Sequence, residues 1–234
     1  MYNNLRGIKS KQHSLRNIIE EKDPTVIALV ETKLNKEDKI EIEGYRIERV
    51  DRNESGGGVL IGYKECLEHV TTVVCEEKEN CEILWIKIDN GQIKIKIAAV
   101  YMPQENQIKI GKLRQVYKNI EKEIMESQRE KENIILVGDF NCKVGEEIKG
   151  NNKEVTKGGR LMTELCNNTG LTMVNADEKC EGLWTRKEGA SESVLDYVLM
   201  WEEDMKSRRS GSGIMYRIKR AGYLREIGPR SSNH

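Results

Sequence analysis

Apolar positions along the chain follow two spacings, one helical and one of strands. Leu15, Ile18 and Ile19 recur at helical spacing between Ser10 and Lys22. Asp23-Pro24 then stops the helix, because the residue before a proline is driven out of the α region. Val26-Ile27-Ala28-Leu29-Val30 is a continuous apolar run bounded by proline and charge, which predicts a buried strand. Gly56-Gly57-Gly58 leads into a strand at Val59-Leu60-Ile61. Ile83–Ile88 and Ile93–Ile97 flank Asp89-Asn90-Gly91, and an Asn-Gly turn between two such runs predicts a hairpin. The second strand continues through Ala98-Ala99-Val100 to Tyr101, with one wet face in its first half and none in its second. Ile110, Leu113, Val116, Ile120 and Ile124 predict a long amphipathic helix lying on a sheet. Asn133–Val137 reads as a central strand ending at Gly138-Asp139-Phe140-Asn141. A shorter helix over Arg160–Asn168 turns Leu161, Leu165 and Cys166 inward and stops at Gly170. Leu171–Val174 and Val194–Leu199 are further strands.

These elements predict one α/β domain of mixed sheets and hairpins over residues 1–203, without the regular alternation of a doubly wound fold. Residues 204–234 are poorly patterned. Composition adds two constraints. Charged residues make up 33% of the 234 and hydrophobic ones 37%, which predicts a very wet surface. Lys plus Arg equals Asp plus Glu at 39 each, so any contact with nucleic acid must come from a local patch. The stretch from Lys206 to Arg230 is locally basic, opposed only by Glu226; it could touch phosphate but reads first as a solvated, poorly ordered tail. No apolar run reaches bilayer length, and the first residues carry no signal-peptide core. The six cysteines are scattered without close pairing, which argues against structural zinc and for reduced thiols inside the cell.

Acidic and amide residues recur where core strands end: Glu31 after IALV, Asp139 and Asn141 after IILVG, and Asp196 inside SVLDYVLM. Each alone reads as a solvated carboxylate. Asp139 and Asn141 are sharper, since a period of two puts both side chains on one face. A carboxylate there can bind a hard cation or hold a water, with the amide beside it adding no repulsion. The same pair also reads as a polar turn after a strand. Gly56-Gly57-Gly58 lacks a P-loop lysine and a following helix, so it reads as a turn. Trp85 and Trp184 are expected in the core or on a sheet face, and His13 and His69 on the surface.

ILVGDFN (Ile135–Asn141) after AAVYMP (Ala98–Pro103), with VIALVETKL (Val26–Leu34) upstream and SVLDYVLM downstream, resembles the endonuclease/exonuclease/phosphatase superfamily. NLRGIKSK, SGGGVLIGYK, GGRLMTELCNNTGLTMVN and GLWTR resemble more closely the apurinic-endonuclease-like domain of LINE-type non-LTR retrotransposons and the craniofacial-development-protein-2-like sequences. The resemblance implies a DNase I-like, four-layer α/β sandwich of two mixed sheets with helices outside. It implies Mg²⁺-dependent (or Mn²⁺-dependent) nicking of DNA, with a reverse transcriptase domain in the complete element and nuclear residence by inference from function. By the same resemblance Glu31 is the main metal ligand with Asn4 beside it. Tyr101 approaches the scissile phosphate, Asp139 holds or deprotonates the attacking water, and Asn141 orients the water or the phosphate. Asp196 pairs with a C-terminal histidine, here His234.

The chain departs from that family at both ends, so the fold is expected to be incomplete there. Only three residues precede Asn4, where the family has a core strand. The family's Ser-Asp-His motif aligns with Ser232-Asn233-His234, which puts an amide where the aspartate stands. The leading expectation is a metal-dependent DNA endonuclease domain. The alternative is a catalytically inactive, truncated or domesticated remnant that binds DNA or protein weakly. A lipid phosphodiester substrate is disfavoured, because no lipid-binding amphipathic segment is present.

Overall fold

The structure, a computed structural model, describes residues 1–52, 56–78, 81–146, 148, 151, 153–176, 185–188 and 191–201. In chain order its regular elements are β1 (Tyr2–Asn4), α1 (Gln12–Lys22), β2 (Val26–Val30), β3 (Tyr45–Val50), β4 (Val59–Lys64), β5 (Val70–Lys78), β6 (Cys81–Asp89), β7 (Lys94–Tyr101), α2 (Ile110–Arg129), β8 (Asn133–Asp139), α3 (Lys157–Thr169), β9 (Leu171–Met173), β10 (Arg186–Glu188), β11 (Ser191–Ser193) and β12 (Asp196–Trp201). Four strands form one sheet in the order β1-β2-β4-β3, and six form a second in the order β5-β6-β7-β8-β12-β9. The pairs β1–β2 and β7–β8 are parallel and the other neighbours antiparallel, so both sheets are mixed. β10 and β11 make a separate hairpin.

Strand periodicity sorts the apolar residues into three cores. On β2, Ile27 and Leu29 pack with Leu15 and Ile19 of α1, while Ala28 and Val30 face the other sheet. On β8, Ile135 and Val137 meet that inter-sheet core, while Ile134 and Leu136 pack under Leu113, Ile120 and Ile124 of α2 and Leu161 and Leu165 of α3. The layers therefore run α1, four-stranded sheet, six-stranded sheet, α2 with α3. A strand apolar on both faces is what burial between two layers demands, and it accounts for the continuous runs at 26–30 and 134–137.

The fold differs from the sequence expectations in four places. The strand before N-x-x-G is present as β1, three residues parallel to β2, with Met1 O accepting from Ala28 N at 2.8 Å. Strand β8 runs on through Asp139, and β12 begins at Asp196 rather than enclosing it. Lys96, expected on a wet face, is buried under α2, with Nζ 2.6 Å from Glu123 Oε2 and over the Trp85 ring. Strands β3, β5, β10 and β11 were not among the expected elements, although Tyr45-Arg46-Ile47-Glu48 of β3 alternates. Trp85 is in the core, and His13 and His69 are exposed, as expected. Trp184, Asn233, His234 and the segment 204–234 lie outside the described residues. Cys66, Cys81, Cys142 and Cys166 are free thiols. Among the described residues no helix is long and apolar enough to cross a membrane.

Candidate active site

Strand register builds the site. Glu82 on β6 lies opposite Tyr101 on β7, Tyr101 opposite Asp139 on β8, and Asp139 opposite Asp196 on β12. Four neighbouring strands thus hold these side-chain positions in one row. β7 and β8 end at Tyr101 and Asp139, and β12, running the other way, begins at Asp196. The smaller sheet brings Asn4, the last residue of β1, and Glu31, which follows β2 directly.

β1 is the edge strand of the smaller sheet, and its side chains reach across to the larger one. The strand period of two places Tyr2 and Asn4 on one face. Asn4 Nδ2 donates to Glu31 Oε1 and to Asp139 Oδ2, each at 2.9 Å. The Tyr2 hydroxyl donates to Asp196 Oδ1. Two donors on three residues of backbone therefore reach all three carboxylates.

The loops around Glu31 are held in sparsely populated backbone conformations. Arg6, Glu31, Lys33 and Asn141 all have positive φ, at 50°, 51°, 54° and 46°. Non-glycine residues rarely adopt such angles, and when they do the surrounding contacts enforce them. Here Gly7 N donates to Glu31 O at 2.8 Å and Ile8 N to Thr32 O at 2.9 Å. On the other side Thr32 N donates to Gly58 O at 3.2 Å and Lys33 N to Gly57 O at 2.9 Å. The glycine run is a turn into β4, as the sequence indicated, and it clamps the Glu31 loop. A Cβ at Gly58 would fall 2.4 Å from Thr32 Oγ1, and one at Gly57 would fall 2.6 Å from Arg52 Cζ.

Asp139 and Asn141 are not related as two positions of a strand. The chain leaves the sheet after Asp139, and the Asn141 backbone N–H turns back to Asp139 Oδ1 at 2.9 Å. The Asn141 side chain donates to Met102 O at 2.7 Å. That bond ties the end of β8 to the segment after Tyr101.

Burial sets the electrostatics. Asp139 is pushed well above the usual carboxylate range, first by burial and then by the charge of Asp196, with the Asn141 N–H opposing. Burial pushes Asp196 up to about 6, against hydrogen bonds from Thr185 and Tyr2. Tyr101 is pushed up to about 12 by burial and by the charges of Glu31 and Asp139, with Arg52 opposing. The phenol of Tyr101 is therefore a neutral hydrogen-bond donor at neutral pH. Carboxyls raised in this way hold or accept a proton near neutrality.

Glu31 and Asp139, bridged by an amide, form a sparse oxygen set. Among the described residues no group of three or more His, Cys, Asp or Glu converges into a cage. The few-carboxylate set fits a hard cation such as Mg²⁺, which keeps most of its waters. Asp139 and Asp196, raised first by burial, also gain from a positive charge placed beside them.

Five residues at the site escaped the sequence reading. Tyr2 and Thr185 contact Asp196, the latter also accepting from Asp196 N at 3.2 Å. Asn175 Nδ2 donates to Asp196 O at 3.1 Å and its Oδ1 accepts from Val198 N at 2.9 Å, extending the ladder beside β12. Glu82 and Arg52 form an ion pair beside Tyr101. Tyr2 carried a signal, being two positions from Asn4, and Asn175 and Thr185 stand inside the motifs GGRLMTELCNNTGLTMVN and GLWTR, though neither was singled out.

The model of the Endonuclease/Exonuclease/phosphatase family matches residues 4–234. Among curated proteins none matches the chain. Several solved structures share the fold. The 3′ phosphatase NExo from Neisseria, bound to product DNA hairpin, is 13% identical with a TM-score of 0.67, covering 88% of this chain and 87% of its own. An AP endonuclease from Archaeoglobus fulgidus is 16% identical at a TM-score of 0.66, over 88% and 87%. The endonuclease domain of TRAS1, a telomere-specific non-LTR retrotransposon, is 17% identical at a TM-score of 0.62, over 88% and 85%.

Proposed function

This chain belongs to the endonuclease/exonuclease/phosphatase family, and we propose that it hydrolyses phosphodiester bonds of DNA as a divalent-metal-dependent endonuclease. The observation that carries the reading is the amide of Asn4 bridging Glu31 and Asp139, with Tyr101, Asp139 and Asp196 in one strand row. The family's members are generally divalent-metal dependent, and Mg²⁺ is the cation the sparse oxygen set suits, with Mn²⁺ as a substitute. Glu31 would hold it, with Asn4 alongside. When bound, the cation supplies positive charge against the charge that develops on the phosphate oxygens.

The chain's own residues divide the remaining work. Asp139, raised by burial, accepts the proton of the attacking water. Its geometry is fixed by two donors, Asn4 Nδ2 and the Asn141 N–H. Tyr101 donates a hydrogen bond through its phenolic O–H to a non-bridging phosphate oxygen, keeping its proton, a donor in place before the charge develops. Asn141 holds the loop and orients the water or the phosphate. Asp196, kept in place by Tyr2 and Thr185, pairs with a histidine of the C-terminal segment, for which the sequence offers His234.

The similarity of the sequence motifs to LINE-type endonucleases supports a finer assignment. In it the chain is the nicking domain of a retrotransposon-derived protein, its product priming a reverse transcriptase in the nucleus. The test is nicking of a labelled duplex carrying one abasic site, in Mg²⁺ and in EDTA, beside Asp139→Ala. Cleavage in Mg²⁺ that the variant loses is the expected result. A folded chain that binds duplex DNA and leaves it intact would overturn the reading in favour of a binding module.

A further inference from the structure

The ion pair between Arg52 and Glu82 stands beside the site without a part in the chemistry described so far. Glu82 is fully buried, and the Arg52 side chain is 14% exposed. Removing two such charges from water is expensive, and a buried pair is seldom retained for stability alone. What this pair touches is specific. Glu82 lies directly opposite Tyr101 in the β6–β7 register. Both Nε and Nη2 of Arg52 close on Glu82 Oε1, so one carboxylate oxygen fixes one edge of the guanidinium plane. Its Cζ lies over the Tyr101 ring, 5.5 Å from the ring centroid. Gly57 packs close against the guanidinium, where even a Cβ would come within 2.6 Å of Cζ. Gly57 in turn receives Lys33 N at its carbonyl, so the same turn that packs against Arg52 also holds the Glu31 loop.

We propose that Arg52, anchored by Glu82 and packed against Gly57, is a positioning residue that fixes the plane of the Tyr101 ring and hence the direction of its phenolic O–H. The proposal deepens the reading above and rests on it, since it gives Tyr101 a phosphate to face. A tyrosine at the end of a strand turns about χ1 and χ2, and a hydrogen bond to a phosphate oxygen works only along a narrow line. A cation held over one ring face restricts that rotation, and its attraction to the ring's π-electrons favours the arrangement. Lysine does not reproduce this, because an ammonium has neither the plane nor the fork that Glu82 holds.

The test has two arms on the full chain. The first is a double-mutant cycle of Arg52→Ala and Tyr101→Phe on Mg²⁺-dependent nicking of supercoiled plasmid, with Asp139→Ala as the inactive control. Each single variant is expected to lower kcat by about tenfold or more with KM nearly unchanged, the scale of a misaligned donor. The double variant is expected to match Tyr101→Phe alone, because Arg52 acts only through the phenol. Losses that multiply would overturn the proposal, as would an effect of Arg52→Ala confined to KM. Arg52→Lys, which keeps the charge on Glu82, is expected to fold and to show an intermediate loss; full activity would count against the proposal. The second arm needs no activity. In chain labelled with ¹³C on its tyrosine rings, in EDTA, the Tyr101 resonance (identified by its loss in Tyr101→Phe) is expected to shift and broaden in Arg52→Ala and Arg52→Lys. A resonance that stays in place overturns the proposal. An unaltered chain that fails to nick overturns the functional reading instead.

Discussion

Asn4 Nδ2 lies 2.9 Å from Glu31 Oε1 and 2.9 Å from Asp139 Oδ2, so one amide nitrogen spends both its protons on carboxylates from two different sheets. Without that bridge the two acids face each other with only repulsion between them. Asn4→Ala is expected to lower nicking by about 10- to 100-fold, the usual consequence of losing a partner that orients ligands. It should also raise the Mg²⁺ concentration needed for half-maximal rate. Asn4→Asp adds a fourth carboxyl to the cluster and should lower Tm in EDTA more than Asn4→Ala does. Mg²⁺ titrations of rate and thermal melts in EDTA check both. An Asn4→Ala chain with unaltered Mg²⁺ dependence would show that the bridge is only structural.

A cation that binds the folded chain and not the unfolded one stabilises it by mass action. Free Mg²⁺ at one hundred times its Kd is worth about 2.7 kcal/mol. Tm is therefore expected to climb with Mg²⁺ and then keep rising slowly with its logarithm. Glu31→Gln and Asp139→Asn should each flatten that climb, while raising Tm in EDTA by relieving repulsion. Calorimetry or a fluorescence melt across Mg²⁺ concentrations reads it. A climb of equal size in Glu31→Gln would remove Glu31 from the metal site.

Gly138, one residue before Asp139, lies opposite Val100 in the parallel β7–β8 pairing. A Cβ there would fall 1.9 Å from Val100 O and 2.7 Å from Val100 C, backbone atoms with nothing flexible to yield. Gly138→Ala is expected to force β7 and β8 apart and destabilise the fold by about 3 kcal/mol or more. Because Tyr101 and Asp139 sit on those two strands, activity should fall further than stability alone explains. Urea unfolding and nicking, measured together, check it. Gly159→Ala offers a comparison away from the row, since its Cβ would meet Lys143 O at 1.9 Å at the start of α3.

The sandwich was legible because each central strand is apolar on both faces, and the helices because theirs are apolar on one. Tyr101, Asp139 and Asp196 were legible as residues but not as a row. Their alignment depends on register between strands far apart in sequence. One link was within reach: the Asn90-Gly91 turn pairs Asp89 with Lys94, and counting back along the hairpin pairs Glu82 with Tyr101. Arg52 was out of reach, because nothing local ties the end of β3 to β6. Asn141 misled, since a period of two assumes a strand that in fact ends at Asp139. Lys96 misled likewise; it alternates like a solvent-facing residue, but α2 covers that face and Glu123 meets its charge.

Asp196 turns burial into a pH dependence whose sign can be worked out. Its ordinary value is 3.8 and the fold pushes it up to about 6, so the folded state binds more protons than the unfolded state between those limits. Stability therefore falls as pH rises through that window and is level above it. Holding that proton is worth at most about 3 kcal/mol of stability, lost across the window. Asp196→Asn removes the charge and still accepts a hydrogen bond from Tyr2. The variant is expected to resemble the unaltered chain near pH 4 and to be more stable above pH 6, with the gap opening between. Urea unfolding in EDTA at a series of pH values measures that gap. In Mg²⁺ the gap should narrow, because a cation near Asp139 favours the ionised carboxyls. A gap that is constant with pH would mean that Asp196 is already ionised in the folded chain, and that Tyr2 and Thr185 outweigh its burial.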